Sequence, residues 1–314
     1  MISEKMRREF ADHIEKIARI NEKIIFLTGD LGFMAFENLK GILGDRFINA
    51  GVSEQNMISM ASAFAYENLI PVCYSIAPFI VFRPAEQIRI DVCLHNLNVK
   101  IVGNGGGFGY GIMGATHHAI EDIAVISSFQ NMKGIVPFCN EDVAGGIDEM
   151  FEYRGPTYLR LGTGSKTVNV ETGKFSAIRK VKTGNRITIV GIGPVILNVF
   201  EALSIMQREI ADVFVVSEMP LMILSDELKE SILKTRTLIV IEEHVKRGGL
   251  GENIASLILE DHMYCDYSHL FVKGYLNALY GSQSYHLEIN GLDVKTIIAI
   301  IDKKLNKDVL SVEK

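Results

Sequence analysis

The sequence predicts an α/β protein with two consecutive parallel sheets. Two observations support this prediction: short apolar segments alternate with segments of helical periodicity, and this alternation weakens once, between residues 162 and 185. Apolar strands that alternate with helices are typical of parallel sheets covered on both faces. The length of 314 residues fits about two domains.

The first block of alternation predicts six strands and three helices. Residues 4–21 carry Phe10, Ile14 and Ile17 at helical spacing, and residues 23–28 form an apolar run that stops at Gly29. The other strands are expected at residues 47–49, 71–75, 99–102, 133–137 and 157–161, and the other helices at residues 57–65 and 84–94.

Glycine, threonine, serine and charged residues fill the interval between residues 162 and 185, which we interpret as a connection between domains. The predicted units are residues 1–165 and residues 186–314, with a linker at residues 166–185. In the second unit, strands are expected at residues 187–190, 213–216 and 238–241, and helices at residues 195–206, 254–259 and 294–305.

The composition narrows the class of protein. A formal net charge of −6 without a basic cluster argues against nucleic-acid binding. No segment approaches the ~18 uninterrupted apolar residues of a membrane span, and the charged N-terminus lacks an apolar signal core. We therefore expect a cytoplasmic protein with no membrane partner. The four cysteines are isolated from one another, which favours reduced and buried thiols.

The stretch between residues 47 and 57 carries the first candidate functional residue. An apolar run reaches Gly51, and then Ser53 and Glu54 precede a long segment rich in small residues. This order predicts a buried strand, an N-cap at Ser53 and a helix that begins at Glu54. Open α/β sheets bind ligands beyond the carboxyl ends of their strands. A carboxylate there also complements the helix dipole, so the residues alone leave both roles open.

Three segments resemble motifs of the transketolase family of thiamine-diphosphate enzymes: GVSEQN at residues 51–56, FIVFRPAEQIR at 79–89 and GATHHAIEDIA at 114–124. In that family the glutamate of the first motif hydrogen-bonds N1′ of the aminopyrimidine ring and controls its tautomer. The resemblance implies this role for Glu54, with Gly51 beside the cofactor. The second motif implies that Phe79, and secondarily Phe82, stacks on the same ring.

The third motif implies that His117 faces the substrate as an acid, a base or a hydrogen-bonding group, a role that suits histidine because it titrates near neutral pH. His118 is expected behind it. Glu121 and Asp122 are interpreted as charges in the first turn of a helix. The glycine-rich loop at residues 103–111 lacks the Gly-Lys-[Ser/Thr] of a Walker A loop, so it is either flexible or a place where a ligand approaches the backbone.

The family's metal–diphosphate motif, Gly-Asp-Gly followed later by an asparagine, is missing from the sequence. The chain is therefore identified as the C-terminal half of a split transketolase, in which a pyrimidine-binding domain precedes the transketolase C-terminal domain. The resemblance implies thiamine diphosphate as cofactor. It also implies an N-terminal subunit that supplies Mg²⁺ and the diphosphate site, within a dimer or an α₂β₂ assembly, and no activity for this chain alone.

The substrate is expected to be a less usual sugar. No basic residue lies between Val102 and His117, and Thr163 stands where family members often have arginine, the preferred phosphate ligand. We expect transfer of a two-carbon ketol unit between sugars, and the candidate substrate-binding residues are His117, His118, Arg83 and Arg7. The alternatives are an enzyme similar to 1-deoxyxylulose-5-phosphate synthase, one similar to a 2-oxoacid dehydrogenase β subunit, and a non-catalytic regulatory subunit.

Overall fold

The structure, a computed structural model, describes residues 5–32, 35–163 and 172–311. The strands of the first unit are β1 (Ile24–Thr28), β2 (Phe47–Asn49), β3 (Ile70–Ile76), β4 (Lys100–Asn104), β5 (Lys133–Ile135) and β6 (Thr157–Leu161). Its helices are α1 (Lys5–Ile20), α2 (Glu37–Leu43), α3 (Glu54–Tyr66), α4 (Ala77–Phe82), α5 (Ala85–Gln87), α6 (Asp122–Ser127) and α7 (Val143–Glu152), and a π-helical turn at Ile88–Cys93 follows α5.

These six strands form a parallel sheet in the order β5-β6-β4-β3-β1-β2. Thr28 at the end of β1 lies beside Asn49 of β2 and Tyr74 of β3. The carboxyl ends of three neighbouring strands therefore meet at one edge of the sheet. This is the edge at which open α/β sheets bind ligands.

The second unit contains a five-stranded sheet in the order β12-β11-β8-β9-β7. Its strands are β7 (Ile178–Lys182), β8 (Ile187–Ile192), β9 (Ala211–Val216), β11 (Thr237–Val245) and β12 (Asp266–Val272), and β10 (Glu218–Met219) leaves this unit to pair with β5 of the first sheet. The helices are α8 (Leu197–Met206), α9 (Asp226–Thr235), α10 (Leu250–Glu260), α11 (Gln283–Asn290) and α12 (Val294–Ser311).

The predicted α/β class with two consecutive sheets is confirmed, and two edge strands add to it. Both β7 and β10 run antiparallel to their neighbours. β7 lies within the segment predicted as a linker, 166–185, whose residues 166–171 fall outside the described residues. This strand was not predicted because Arg179, Lys180 and Lys182 interrupt the apolar pattern of a strand. An edge strand tolerates such charges. The domain limits at residues 165 and 186 stay predictions.

Apolar side chains cover both faces of the first sheet. On one face Phe10 of α1 packs with Phe36 and Tyr74, whose rings lie within 6.0 Å of its own ring centroid. On the other face Met57 of α3 and Ile80 of α4 are fully buried. Since α3 and α4 pack on β3, the residues at their ends are fixed relative to the strand ends.

No helix among the described residues is both long and apolar enough to span a membrane. The four cysteines are unpaired, and three of them are buried. Burial raises the pKa of Cys93 and of Cys139 to about 12. These thiols therefore stay protonated at neutral pH and pack as small apolar groups.

Candidate active site

Glu54 lies where the sequence predicts it, at the first residue of a helix beyond the end of a strand. The strand β2 ends at Asn49, the chain turns through Gly51 with φ of 70°, and α3 begins at Glu54. Ser53 occupies the N-cap position but makes no capping bond. Its hydroxyl donates instead to the Ala50 carbonyl oxygen at 2.6 Å, which tightens the turn that presents Glu54.

The Glu54 carboxylate is buried, with 2% of its side chain exposed, and it has two side-chain donors. The Ser75 hydroxyl, on β3, donates to Oε1 at 3.1 Å, and Nη1 of Arg83, just beyond α4, donates to Oε2 at 2.8 Å. A Cβ built on Gly29 would lie 3.5 Å from Oε1, so the chain after β1 also closes around the carboxylate. The ends of β1 and β3, the start of α3 and the end of α4 thus build one polar site.

Arg83 connects this carboxylate to Phe79, and Phe79 contacts His117. The guanidinium carbon of Arg83 lies 3.9 Å from the centroid of the Phe79 ring, which in turn meets the His117 ring edge-on at 5.1 Å. Thr116 Oγ1 lies 2.9 Å from Nδ1 of His117. We call Glu54, Ser75, Phe79, Arg83 and His117 the Glu54 cluster. The structure brings these residues together although they lie on separate elements.

The other candidate residues lie around or behind this cluster. Phe82 ends α4 with 38% of its surface exposed, and Gly51 lies in the turn before α3. His118 is buried, and its Nε2 lies 2.7 Å from the Gly111 carbonyl oxygen. Arg7 lies on α1, which packs against α2 and α7. The roles of His118 and Arg7 in substrate binding stay predictions.

The glycine-rich loop approaches a side chain of its own chain. Gly107 has φ of 66°, and a Cβ there would lie 2.5 Å from Cδ of Glu243. The Phe108 backbone N–H donates to Glu243 Oε1 at 2.8 Å, and the Gln283 side-chain amide donates to the same carboxylate. Burial raises the pKa of Glu243. Because Gly107 has no Cβ, the Glu243 side chain of the second unit can approach the loop and bind its backbone.

Asp122 does more than begin a helix. It is fully buried, and it accepts hydrogen bonds from Arg160 Nε at 2.8 Å and from the Tyr158 hydroxyl at 2.7 Å. Arg160 also donates to the Ala119 carbonyl oxygen at 2.9 Å, next to the histidine pair of the third motif. This ion pair was not predicted from the sequence. An arginine inside an apolar strand was the available signal, because a buried guanidinium needs a partner.

Residues 4–166 match the transketolase pyrimidine binding domain, and residues 176–282 match the transketolase C-terminal domain. The chain belongs to the transketolase family. Its two domains, in this order, are those of the C-terminal subunit of a split transketolase, as the sequence predicted.

Relatives and a solved structure agree with this assignment. One of the subunits of apulose-4-phosphate transketolase from Actinobacillus succinogenes is 29% identical over 262 residues, 81% of this chain and 83% of that protein. A 1-deoxy-D-xylulose-5-phosphate synthase from Clostridium perfringens is 26% identical over 92% of this chain and 47% of its own length. A solved split gene transketolase, an inactive β₄ tetramer, has a TM-score of 0.82 and 28% identity, and covers 96% of this chain and 98% of that one.

Proposed function

We propose that this chain is the C-terminal subunit of a thiamine-diphosphate-dependent transketolase-like enzyme that transfers a two-carbon ketol unit between sugars. One observation carries the proposal. The buried Glu54 carboxylate lies at the carboxyl edge of a parallel sheet, and Arg83 links it to the Phe79 ring, which in turn contacts His117. A family glutamate at this place binds the cofactor's aminopyrimidine ring. The cytoplasmic location expected from the sequence is part of this proposal.

The residues of the Glu54 cluster fit the aminopyrimidine ring. A carboxyl group can share one proton with a ring nitrogen, and its 2% exposure provides the low-dielectric setting in which such a bond is strong. The Phe79 ring, half-buried, offers an aromatic face for stacking, which is worth ~0.5–1.5 kcal/mol beyond burial. We therefore assign Glu54 to hold a proton at N1′ and Phe79 to orient the ring.

His117 is assigned to the substrate. Thr116 Oγ1 is the partner of Nδ1, so Nε2 is the ring nitrogen that can donate to or accept from a sugar hydroxyl. Thiamine diphosphate, when bound, supplies the carbon nucleophile that carries the two-carbon unit. This chain's own contribution is to bind and orient the ring, to hold a proton at Glu54 and to exchange one at His117.

A partner subunit is required by the proposal. Among the described residues, no group of three or more histidine, cysteine, aspartate or glutamate side chains could hold a metal ion. We propose that an N-terminal subunit holds Mg²⁺ and the diphosphate, in an α₂β₂ assembly. Two similar proteins support a divided enzyme, since one is named as a single subunit of a transketolase and the other is an inactive tetramer of β chains.

A specialised sugar is the proposed substrate. Thr163, which stands where an arginine often lies, donates to Gln283 Oε1 at 2.5 Å and so contacts the second unit. A relative named for apulose 4-phosphate supports a sugar outside the common pentose phosphates. The similarity to a 1-deoxy-D-xylulose-5-phosphate synthase supports a second candidate reaction, condensation with decarboxylation of pyruvate.

Reconstitution tests the proposal. We expect the chain alone to bind thiamine diphosphate weakly and to be inactive, whereas the chain co-expressed with the product of an adjacent N-terminal transketolase frame should bind the cofactor with Mg²⁺. Calorimetry measures binding, and a panel of ketose donors that includes apulose 4-phosphate measures turnover. Release of CO₂ from pyruvate would favour the second candidate. Tight binding of cofactor by the chain alone would contradict the divided enzyme.

A further inference from the structure

Arg83 contacts the two residues of the Glu54 cluster that are assigned to the cofactor ring. We propose that Arg83 closes the cofactor site of the free subunit and that the aminopyrimidine ring must displace it. Its guanidinium contacts both groups assigned to that ring: Nη1 donates to Glu54 Oε2 at 2.8 Å, and Cζ lies 3.9 Å from the Phe79 ring centroid. This inference rests on the proposed function.

Arg83 is the outer layer of the cluster. The Arg83 side chain is 44% exposed, whereas the Glu54 side chain is 2% exposed. The other groups around the carboxylate lie inward, since Ser75 is fully buried and Gly29 contributes backbone at the end of β1. A ligand that comes from solvent therefore meets the guanidinium before it meets the carboxylate.

The two ends of this ion pair differ in what they lose on separation. A buried carboxylate without a partner is strongly unfavourable, so the free subunit keeps Arg83 on Glu54. Arg83 is nearly half exposed, so its guanidinium is readily hydrated when it leaves, whereas the carboxylate needs a new partner. A ring that shares one proton with the Glu54 carboxyl group and stacks on Phe79 replaces both contacts of the guanidinium. The exchange is therefore feasible without a change in the backbone.

A second arginine–carboxylate pair of the same unit shows the contrast. In the pair of Arg160 and Asp122, the exposed side-chain fractions are 3% and 0%. Neither partner of that pair can leave without opening the core. Arg83 can therefore be displaced from its carboxylate by a ligand, whereas Arg160 stays in place as part of the core.

Substitution of Arg83 tests the inference in the reconstituted pair of subunits. We expect Arg83→Ala to lower the Kd for thiamine diphosphate with Mg²⁺ by about three- to tenfold, a change that corresponds to the loss of a weak competing contact. Arg83→Lys should give an intermediate Kd, because lysine can pair with Glu54 but has no planar group to stack on Phe79. Arg89→Ala is the matched control, since Arg89 is an exposed arginine in the following π-helical turn, and should leave the Kd unchanged.

A double variant separates displacement from a general loosening of the site. With Glu54→Gln already present, Arg83→Ala should change the Kd little, because the ion pair has been removed. Equal or weaker cofactor binding by both Arg83 variants, in a pair whose wild type binds well, would overturn the inference and leave the proposed function in place. Failure of the wild-type pair to bind thiamine diphosphate would instead remove the proposed function, and this inference with it.

Discussion

Two regions of the molecule contain buried carboxylates, and they differ in the partners of those carboxylates. In the Glu54 cluster one donor is an exposed arginine. In the region between the two units, which we call the junction, Asp122 pairs with the buried Arg160, and Glu243 accepts a backbone N–H and a glutamine amide. The junction also contains the buried histidines His118 and His286.

The difference teaches how burial alone misleads. Glu54, Asp122 and Glu243 are all at most 3% exposed. A carboxylate with buried partners stabilises the fold, because without it those donors would be buried with no acceptor. A carboxylate whose partner can move into solvent is available to a ligand. Function is therefore expected in the Glu54 cluster and stability in the junction.

The largest effect that would test this division is on turnover. We expect Glu54→Gln to lower kcat of the reconstituted pair by about 10²–10⁴-fold, the usual loss when an acid–base group is removed. Steady-state kinetics with the best ketose donor measure it. Glu86→Gln, an exposed glutamate on α5, is the control and should have wild-type kcat. Wild-type turnover in Glu54→Gln would remove this side chain from the mechanism.

Substitutions in the junction should lower the stability of the fold. We expect Asp122→Ala to lower the free energy of unfolding by about 3–5 kcal/mol, because it leaves the Arg160 guanidinium buried without its anion. Urea titration followed by circular dichroism measures this change. Asp12→Ala, which breaks the exposed pair of Arg8 and Asp12, should cost at most about 1 kcal/mol. Similar losses in the two variants would mean that the junction pair is no more important than a surface pair.

The position of Glu54 could be predicted because its signals are local. A strand, a glycine, an N-cap residue and a helix follow one another in one short stretch, and the structure has them in that order. Phe79 and His117 entered through the resemblance of their motifs. Their proximity depends on parallel strands that meet at one edge, and no single segment of sequence contains that information.

The contacts that decide the role of each carboxylate could not be predicted. Arg83 and Glu54 are 29 residues apart, and Arg160 and Asp122 are 38 residues apart, on different elements. The strand β10 has only two residues, Glu218 and Met219, which is too short for a periodic pattern. Each feature depends on how elements pack, so the sequence could indicate a need for a partner but could not name it.

The smallest expected effect concerns pH and the histidines of the junction. His286 is fully buried, its ring stacks on Phe108 at 4.5 Å, and neither ring nitrogen has a hydrogen-bond partner among the described residues. Burial lowers the pKa of His286, and burial likewise lowers the pKa of His118. The folded state then binds fewer protons than the unfolded state. The chain should therefore lose stability as the pH falls below about 6.5, the ordinary pKa of histidine.

His286→Phe should make this loss smaller. Phenylalanine keeps the stack on Phe108 and cannot take up a proton. Between pH 7.5 and pH 5.5 the variant should therefore lose less stability than the wild type loses. Thermal unfolding at the two pH values measures the change. His95→Phe, at an exposed histidine, should leave the pH dependence as it is. An unchanged pH dependence in His286→Phe would mean that acid acts on the fold through groups outside the junction.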